Sequence, residues 1–243
     1  MSSVNFNIDN WVALSPGLLT SEDWQYWSNN NHIWPSELTA PPADLIKPIV
    51  RRRMSSLSKL AVQAALQIST EQQIDYIIFS SRHGELTRTV KLIEEIISGR
   101  DASPIAFSQS VHNTAAGLFT INTNRAVPVT SLAAVESTLH HALIEASIYL
   151  QENPEHRILL VDFDEPLPSP YAKYEDQNYQ GYAFSALLSL GNQYQLSWLK
   201  KQNAEHNNLP QTFEIIDYLI QNKKQNVISD KRFQWSWSNE NNK

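Results

Sequence analysis

Cysteine is absent from the whole 243-residue sequence. That excludes a thiolate nucleophile, a disulfide framework and any zinc or iron–sulfur centre built on sulfur. Long apolar runs are missing too. Nowhere do about 18 consecutive apolar residues occur, the length a membrane span needs, and the opening MSSVNFNIDNW lacks the basic-then-apolar pattern of a secretory leader. Positive charge is in deficit, with 19 Lys and Arg against 25 Asp and Glu for a net −6, which argues against a general nucleic-acid or anionic-membrane binder. The expectation is a cytoplasmic protein without stable membrane insertion, metal or cofactor. Its length suffices to bury a full core as a single domain, 1–243.

What is present is an alternation of strands and helices. Residues 4–14 read as a strand, and the stretch from the Ser15-Pro16-Gly17 turn to Pro48 reads as irregular because prolines interrupt it. Met54, Leu57, Leu60, Ala61, Ala64, Ala65 and Ile68 fall at helical spacing. IDYIIF (74–79) reads as a buried strand leading into a helix marked by Leu86, Val90, Ile93 and Ile97 and ended by Gly99. A short strand over 126–130 turns into a helix over 131–151, and RILLVDF (157–163) reads as the clearest buried strand. YAFSALLSL and YQLSWL read as further strands, followed by a helix over 211–221. This order implies an α/β fold with a mixed central sheet covered by helices.

The junction VPVTSLAAVE (127–136) is a strand that bends into a helix, and a helix N-terminus stabilises negative charge through its amide groups and macrodipole. The bend is read as carrying Thr130, Ser131 and Leu132, so a hydroxyl there either caps a core helix or serves as a weak nucleophile. Other chemistry is possible on paper. His112 with Ser108 or Ser110 and Asp162 would make a hydrolase triad, although no G-x-S-x-G elbow is present. Asp162, Asp164 and Glu165 at a strand end would suit a divalent ion, and His83 lies in a strand-to-helix loop. His140 and His141, adjacent on a helix, diverge by about 100° and cannot share one metal.

Three stretches together carry a resemblance. FSSRHGELTRTVKLIEEI (79–96), SPIAFSQSVHNTAAG (103–117) and PVTSLAAVE resemble the β-ketoacyl-synthase-like N-terminal family of thiolase fold, and within it the small chain-length-factor subunits of aryl polyene and related type II polyketide ketosynthase heterodimers. The resemblance covers about residues 4–190. It implies a thiolase-like fold truncated relative to a full ketosynthase. Leu132 then occupies the place of the synthase cysteine, with Thr130 and Ala133 as its neighbours, and a one-residue shift puts Ser131 there.

On this resemblance the chain has no catalytic residue. It is a non-catalytic partner of a full-length ketosynthase, shaping an acyl or polyene tunnel during elongation on an acyl carrier protein in fatty-acid-like or aryl polyene biosynthesis. Tunnel candidates are Phe107, Leu118, Phe119 and Leu132; polar interface candidates are Ser110, His112, Asn113 and Thr130. Arg51, Arg52 and Arg53, read as opening a helix against its macrodipole, are candidates for docking the acidic carrier protein. The alternatives are a stand-alone serine-dependent acyltransferase or hydrolase, and a structural thiolase-fold remnant. A half-length chain would also leave apolar surface exposed for a partner.

Overall fold

The computed structural model describes residues 2–201 and 208–241. In chain order its elements are β1 (Ser2–Leu14), α1 (Ser21–Asn29), α2 (Pro48–Arg51), α3 (Ser56–Ser69), β2 (Tyr76–Ser80), α4 (Leu86–Ile97), α5 (Pro104–Ser108), α6 (Thr114–Thr123), β3 (Val129–Leu132), α7 (Thr138–Glu152), β4 (Ile158–Asp164), β5 (Tyr182–Lys200), α8 (Gln211–Ile220), β6 (Gln225–Ser229) and β7 (Phe233–Asn239). The first five strands form one mixed sheet in the order β3-β2-β4-β5-β1, with β5 antiparallel to its neighbours. β5 is long enough to pair with β4 through its first half and with β7 through its second, and β6 continues the sheet beyond β7.

Period-two alternation sends each strand's apolar residues to both faces, as a doubly covered sheet requires. Ile77, Phe79, Leu159, Val161, Ala183 and Leu187 face α3 and α6. Tyr76, Ile78, Ile158, Leu160, Phe184, Ala186 and Leu188 face α7, together with Phe213 of α8, Trp24 and Trp27 of α1, and Trp235 and Trp237 of β7. The α7 face of the sheet is thus covered by the chain's own α1, α8 and β6–β7 hairpin, while apolar side chains such as Ile97, Phe107 and Ile121 remain exposed elsewhere. FQWSW, the alternating aromatic segment, is that hairpin's inner strand.

Three features differ from the sequence expectation. The stretch after the first turn is not wholly irregular, because α1 forms there under a capping box: Thr20 accepts from the Asp23 amide and Asp23 from the Thr20 amide. The prolines that argued for irregularity all fall outside α1. Arg51–Arg53 do not open a helix against its dipole. Arg51 closes α2, where positive charge is favourable, and α3 starts after its own cap, Ser55. Finally, 103–117 is largely helical, with Ser103 capping α5 and Gly117 lying within α6. A register break between β1 and β5 is filled by Asn7, whose amide lies where a Cβ on Gly191 would stand, so a larger residue there would displace the Asn7 side chain.

α7 is locked to the hairpin through His140. This ring stacks on Trp235 at 4.4 Å between centroids, accepts at Nε2 from Trp237 Nε1 at 3.0 Å and meets Gln211 Oε1 at 2.6 Å. Complete burial holds its pKa down to about 3, with the Gln211 bond opposing. The folded state therefore keeps His140 neutral while the unfolded chain takes up a proton below about pH 6.5. Its contribution is intact above that pH and is lost as pH falls toward 3. His140→Gln should be less stable than the wild-type chain at pH 7.5. The gap should narrow at lower pH, by up to about 1.4 kcal/mol per unit between pH 6 and 4. Urea melts of the two proteins across that range measure the gap, and a constant gap would contradict a neutral, locked histidine.

Candidate functional site

Period two also decides which sequence candidates meet. Along β3, Val129 and Ser131 face α6, whereas Thr130 and Leu132 face α7. Ser131 joins His112, Asn113, Gly117, Thr120 and Val129 around an open groove of about 480 Å³. Thr130 is withdrawn from it, bonded to the Tyr76 hydroxyl, which also donates to Glu145 at 3.1 Å. The Ser131 hydroxyl is shielded from solvent and makes no hydrogen bond, an exception to the rule that buried polar groups are paired. His112 Nε2 meets the Ser81 carbonyl at 2.8 Å; a carbonyl only accepts, so Nε2 carries the proton. Gly84, with φ +57, lies against that ring, and a Cβ there would come within 3.0 Å of His112 Cδ2.

The groove borders the sheet's edge. Among the described residues β3 pairs with β2 alone, leaving its outer side free. Of the exposed apolar side chains, Val129 lines it, and Val111 and Ile121 are next in sequence to its lining residues His112 and Thr120, whereas Ile105 and Phe107 are exposed on α5, which contacts α4. Phe107 is 65% exposed. The other tunnel candidates lie elsewhere. Phe119 is wholly buried against Phe79, Leu118 packs at the margin of the α3–α6 core, and Leu132 packs against the α7 core. The four do not converge on one cavity. Ser110 is tied back to the Phe107 carbonyl at 2.9 Å and Asp162 sits at the carboxyl edge, so no Ser–His–Asp triad assembles.

The strand-to-helix bend falls later than expected. Thr130, Ser131 and Leu132 are all in β3, and the turn is made at Val135, a β-branched residue at φ 58, where left-handed backbone is strained. Beside it, at the carboxyl ends of β2, β3 and β4, Arg82, Asp162, Asp164, Tyr179 and Gln211 close around about 20 Å³. That volume accommodates about one water.

Two buried carboxyls organise this edge. Asp162 accepts from Ser80 and Thr212 at 2.6 Å and from Tyr182 at 3.0 Å, and burial raises its pKa against those bonds. Asp164 binds the Arg82 amide at 2.6 Å, the His83 amide at 3.2 Å and Ser81 Oγ at 3.0 Å, pinning the loop after β2. Burial pushes Asp164 up to about 8, reinforced by Asp162 and opposed by the amides. His83, half-buried beside Arg82, is lowered by burial. Asp164's clamp on the loop was missed in the sequence, since nothing local links positions 82 residues apart.

Arg52 and Arg53 are exposed at the α2–α3 junction. Arg51 donates to the Ala43 carbonyl at 2.8 Å, and Arg88 reaches the Arg53 carbonyl at 3.3 Å. The triplet is thus part structural, part free.

The sheet order, the bend before α7 and the groove at the β3 edge define a thiolase-like ketosynthase half. The sequence matches the β-ketoacyl synthase N-terminal domain over residues 24–238, and the chain belongs to that family. Its fold also superposes on a chain from the complex of the ketosynthase ApeO with its chain length factor ApeC from Xenorhabdus doucetiae, with a TM-score of 0.87 and 28% identity over 97% of this chain and 99% of that one. A chain of the ishigamide ketosynthase/chain length factor shares the fold at 14% identity, with a TM-score of 0.62 over 83% of this chain and 68% of that one. So does one from AntDE:AntF, a type II polyketide acyl-carrier protein in complex with its ketosynthase, at 12% identity and a TM-score of 0.64 over 98% and 100%. No curated protein sequence matches. Among the described residues no helix is long and apolar enough to cross a membrane.

The two phenylalanines should separate cleanly. Phe119→Ala should destabilise the chain by about 3–5 kcal/mol, the cost of emptying a packed aromatic site. Phe107→Ala, at an exposed position, should change stability by no more than about 0.5 kcal/mol. Equal small losses in denaturant titrations would contradict the placement of Phe119.

Proposed function

We propose that this chain is a non-catalytic, chain-length-factor-like partner of a full-length ketosynthase. The observation that carries the reading is the free outer side of β3, bordered by a groove that exposed Val129 lines and that has exposed Val111 and Ile121 next in sequence to its lining residues His112 and Thr120. Contiguous exposed apolar surface next to an unpaired strand marks a protein interface. The likeness to a chain of the ApeO–ApeC complex over nearly all of both chains supports a ketosynthase as the partner. The lack of a thiol and the one-water space at the bend support a silent role.

In that assembly the groove and Phe107 would border the acyl or polyene chain at the subunit boundary, and the remaining tunnel candidates would act only through packing. Arg52 and Arg53 would meet an acidic carrier protein. In this reading the chain would act in the cytoplasm, on carrier-bound intermediates of a fatty-acid-like or aryl polyene pathway.

A second reading has one observation in its favour: Ser131 and His112 line the same groove. It requires the serine to become acylated.

Two experiments test these readings. Co-expressed with its cognate ketosynthase, the chain should form a heterodimer by size-exclusion chromatography with light scattering. Phe107→Glu should weaken that complex at least about tenfold while leaving the free chain's melting temperature unchanged; unaltered affinity would sink the interface. Incubated alone with malonyl- or acyl-carrier protein, the chain should show no covalent acyl adduct by mass spectrometry. In the complex, Ser131→Ala should keep condensation within a few-fold of wild type, whereas a loss of about 10³ would establish the serine enzyme instead.

A further inference from the structure

The end of α7 that faces the bend is already in contact with a negative charge. Asp230, in the turn between β6 and β7, is 2% exposed. Its Oδ2 accepts from Ser137 Oγ, from Gln211 Nε2 at 3.0 Å and from Trp235 Nε1 at 3.1 Å; its Oδ1 accepts from the Arg232 amide at 2.7 Å and the Phe233 amide at 2.8 Å. Ser137 is the residue that caps α7 and stands two residues after the strained Val135. Burial alone would raise this carboxyl, but the bonds from Ser137, the two amides and Trp235 hold it below its ordinary range, so it is ionised at neutral pH. A fixed carboxylate in that position answers the positive end of the helix.

We propose that Asp230 occupies the electropositive head of α7 from within and so makes the bend unable to stabilise a thiolate or oxyanion. This inference rests on the non-catalytic reading above. It adds to it that the site is silenced by charge as well as by the missing sulfur: a cysteine placed at the bend would meet a helix end whose field is already answered by a permanent anion. The other charged or titratable groups facing the bend are Arg82, Glu136 and Lys231, joined in one surface ion cluster with Asp176, then Arg232 of the hairpin turn, Asp162 and Asp164 of β4, and His140 and His141 of α7. Among these Asp230 is the carboxylate bonded to the α7 cap itself.

The bend can be tested with an introduced thiol. Val135 is 48% exposed, so Val135→Cys is open to reagent in the full chain and removes a β-branched residue from a left-handed position. The pH dependence of its alkylation by iodoacetamide reads the thiol pKa directly. With Asp230 in place the midpoint should lie at or above about 8, near the ordinary cysteine value, and not in the range of cysteines activated at helix N-termini. In the Val135→Cys, Asp230→Asn double variant it should fall by about one unit or more, which raises the thiolate fraction at pH 7 by about fivefold or more.

A midpoint below about 8 in the single variant would overturn the proposal, as would an unchanged midpoint in the double variant. Should Asp230→Asn fail to fold, the single variant decides alone. The measurement needs no ketosynthase, so its failure leaves the partner reading standing, and loss of the partner reading leaves the thiol result intact.

Discussion

The contact that the α7 side of the molecule depends on is the Asp230 carboxylate with its five donors. A buried charge is tolerated only where hydrogen bonds replace the water it gave up, and here they come from the α7 cap, the start of α8, the indole of Trp235 and two amides of its own turn. The donors come from three parts of the cover over the sheet, namely the α7 cap, α8 and the β6–β7 hairpin. Satisfying one carboxylate therefore fixes α7, α8 and the hairpin relative to one another. Trp235 and Trp237 are then set against His140, whose ring completes the same network through Gln211. Removing the charge would leave indole, amide and hydroxyl donors in an apolar interior without acceptors.

That network divides the surface into what the chain covers and what it leaves open. On the α7 side the aromatic side chains of α1, α8 and β7 supply a complete third layer, so the sheet is buried on both faces without help. Apolar side chains do remain exposed around the β3 edge, where Val129 and Ile121 of α6 face solvent, and others are exposed elsewhere, among them Ile96 and Ile97 of α4. Among the described residues β3, like β1 and β6, pairs on one side only, and edge strands without charge or proline protection recruit partners. Val129-Thr-Ser-Leu132 carries neither charge nor proline.

The sequence made the scaffold legible wherever local pattern and tertiary role coincide. IDYIIF and RILLVDF are unbroken apolar runs because both faces of their strands are buried, and α3, α4 and α7 announce themselves by helical spacing. What escaped was set at long range or by polar detail. α1 was hidden by proline-rich surroundings although its Thr20–Asp23 capping box was readable. Placing the bend at Val135 required knowing that β3 pairs with β2 through Leu132. At the site, His112 and Asn113 are legible together, but they are grouped with Ser110 and Thr130, although alternation along a strand turns Thr130 to the opposite face and brings Ser131, read only as a stand-in for the cysteine, to their side. Phe119 looked like a tunnel wall because composition does not distinguish an aromatic ring lining a cavity from one filling the core.

On the non-catalytic reading proposed above, the bend is silent for more than one reason, and that bears on how the chain would act. A condensing site needs a nucleophile, room for an acyl thioester and a field that favours negative charge. The nucleophile is lacking in composition, and the room has shrunk to about 20 Å³ between Arg82, the two aspartates and Tyr179. On the inference drawn above the field is answered by Asp230. Space and charge are set by different residues: Tyr179 and Tyr182 with the β4 aspartates fill the space, and the hairpin turn supplies the carboxylate. Restoring one leaves the other unchanged, and enlarging the space means opening the hydroxyl cage around Asp162, which also joins β2, β5 and α8. The carboxyl edge has thus become part of the fold's stability. The groove at the β3 edge shares none of its lining residues with this carboxyl edge, so that a change in one need not disturb the other.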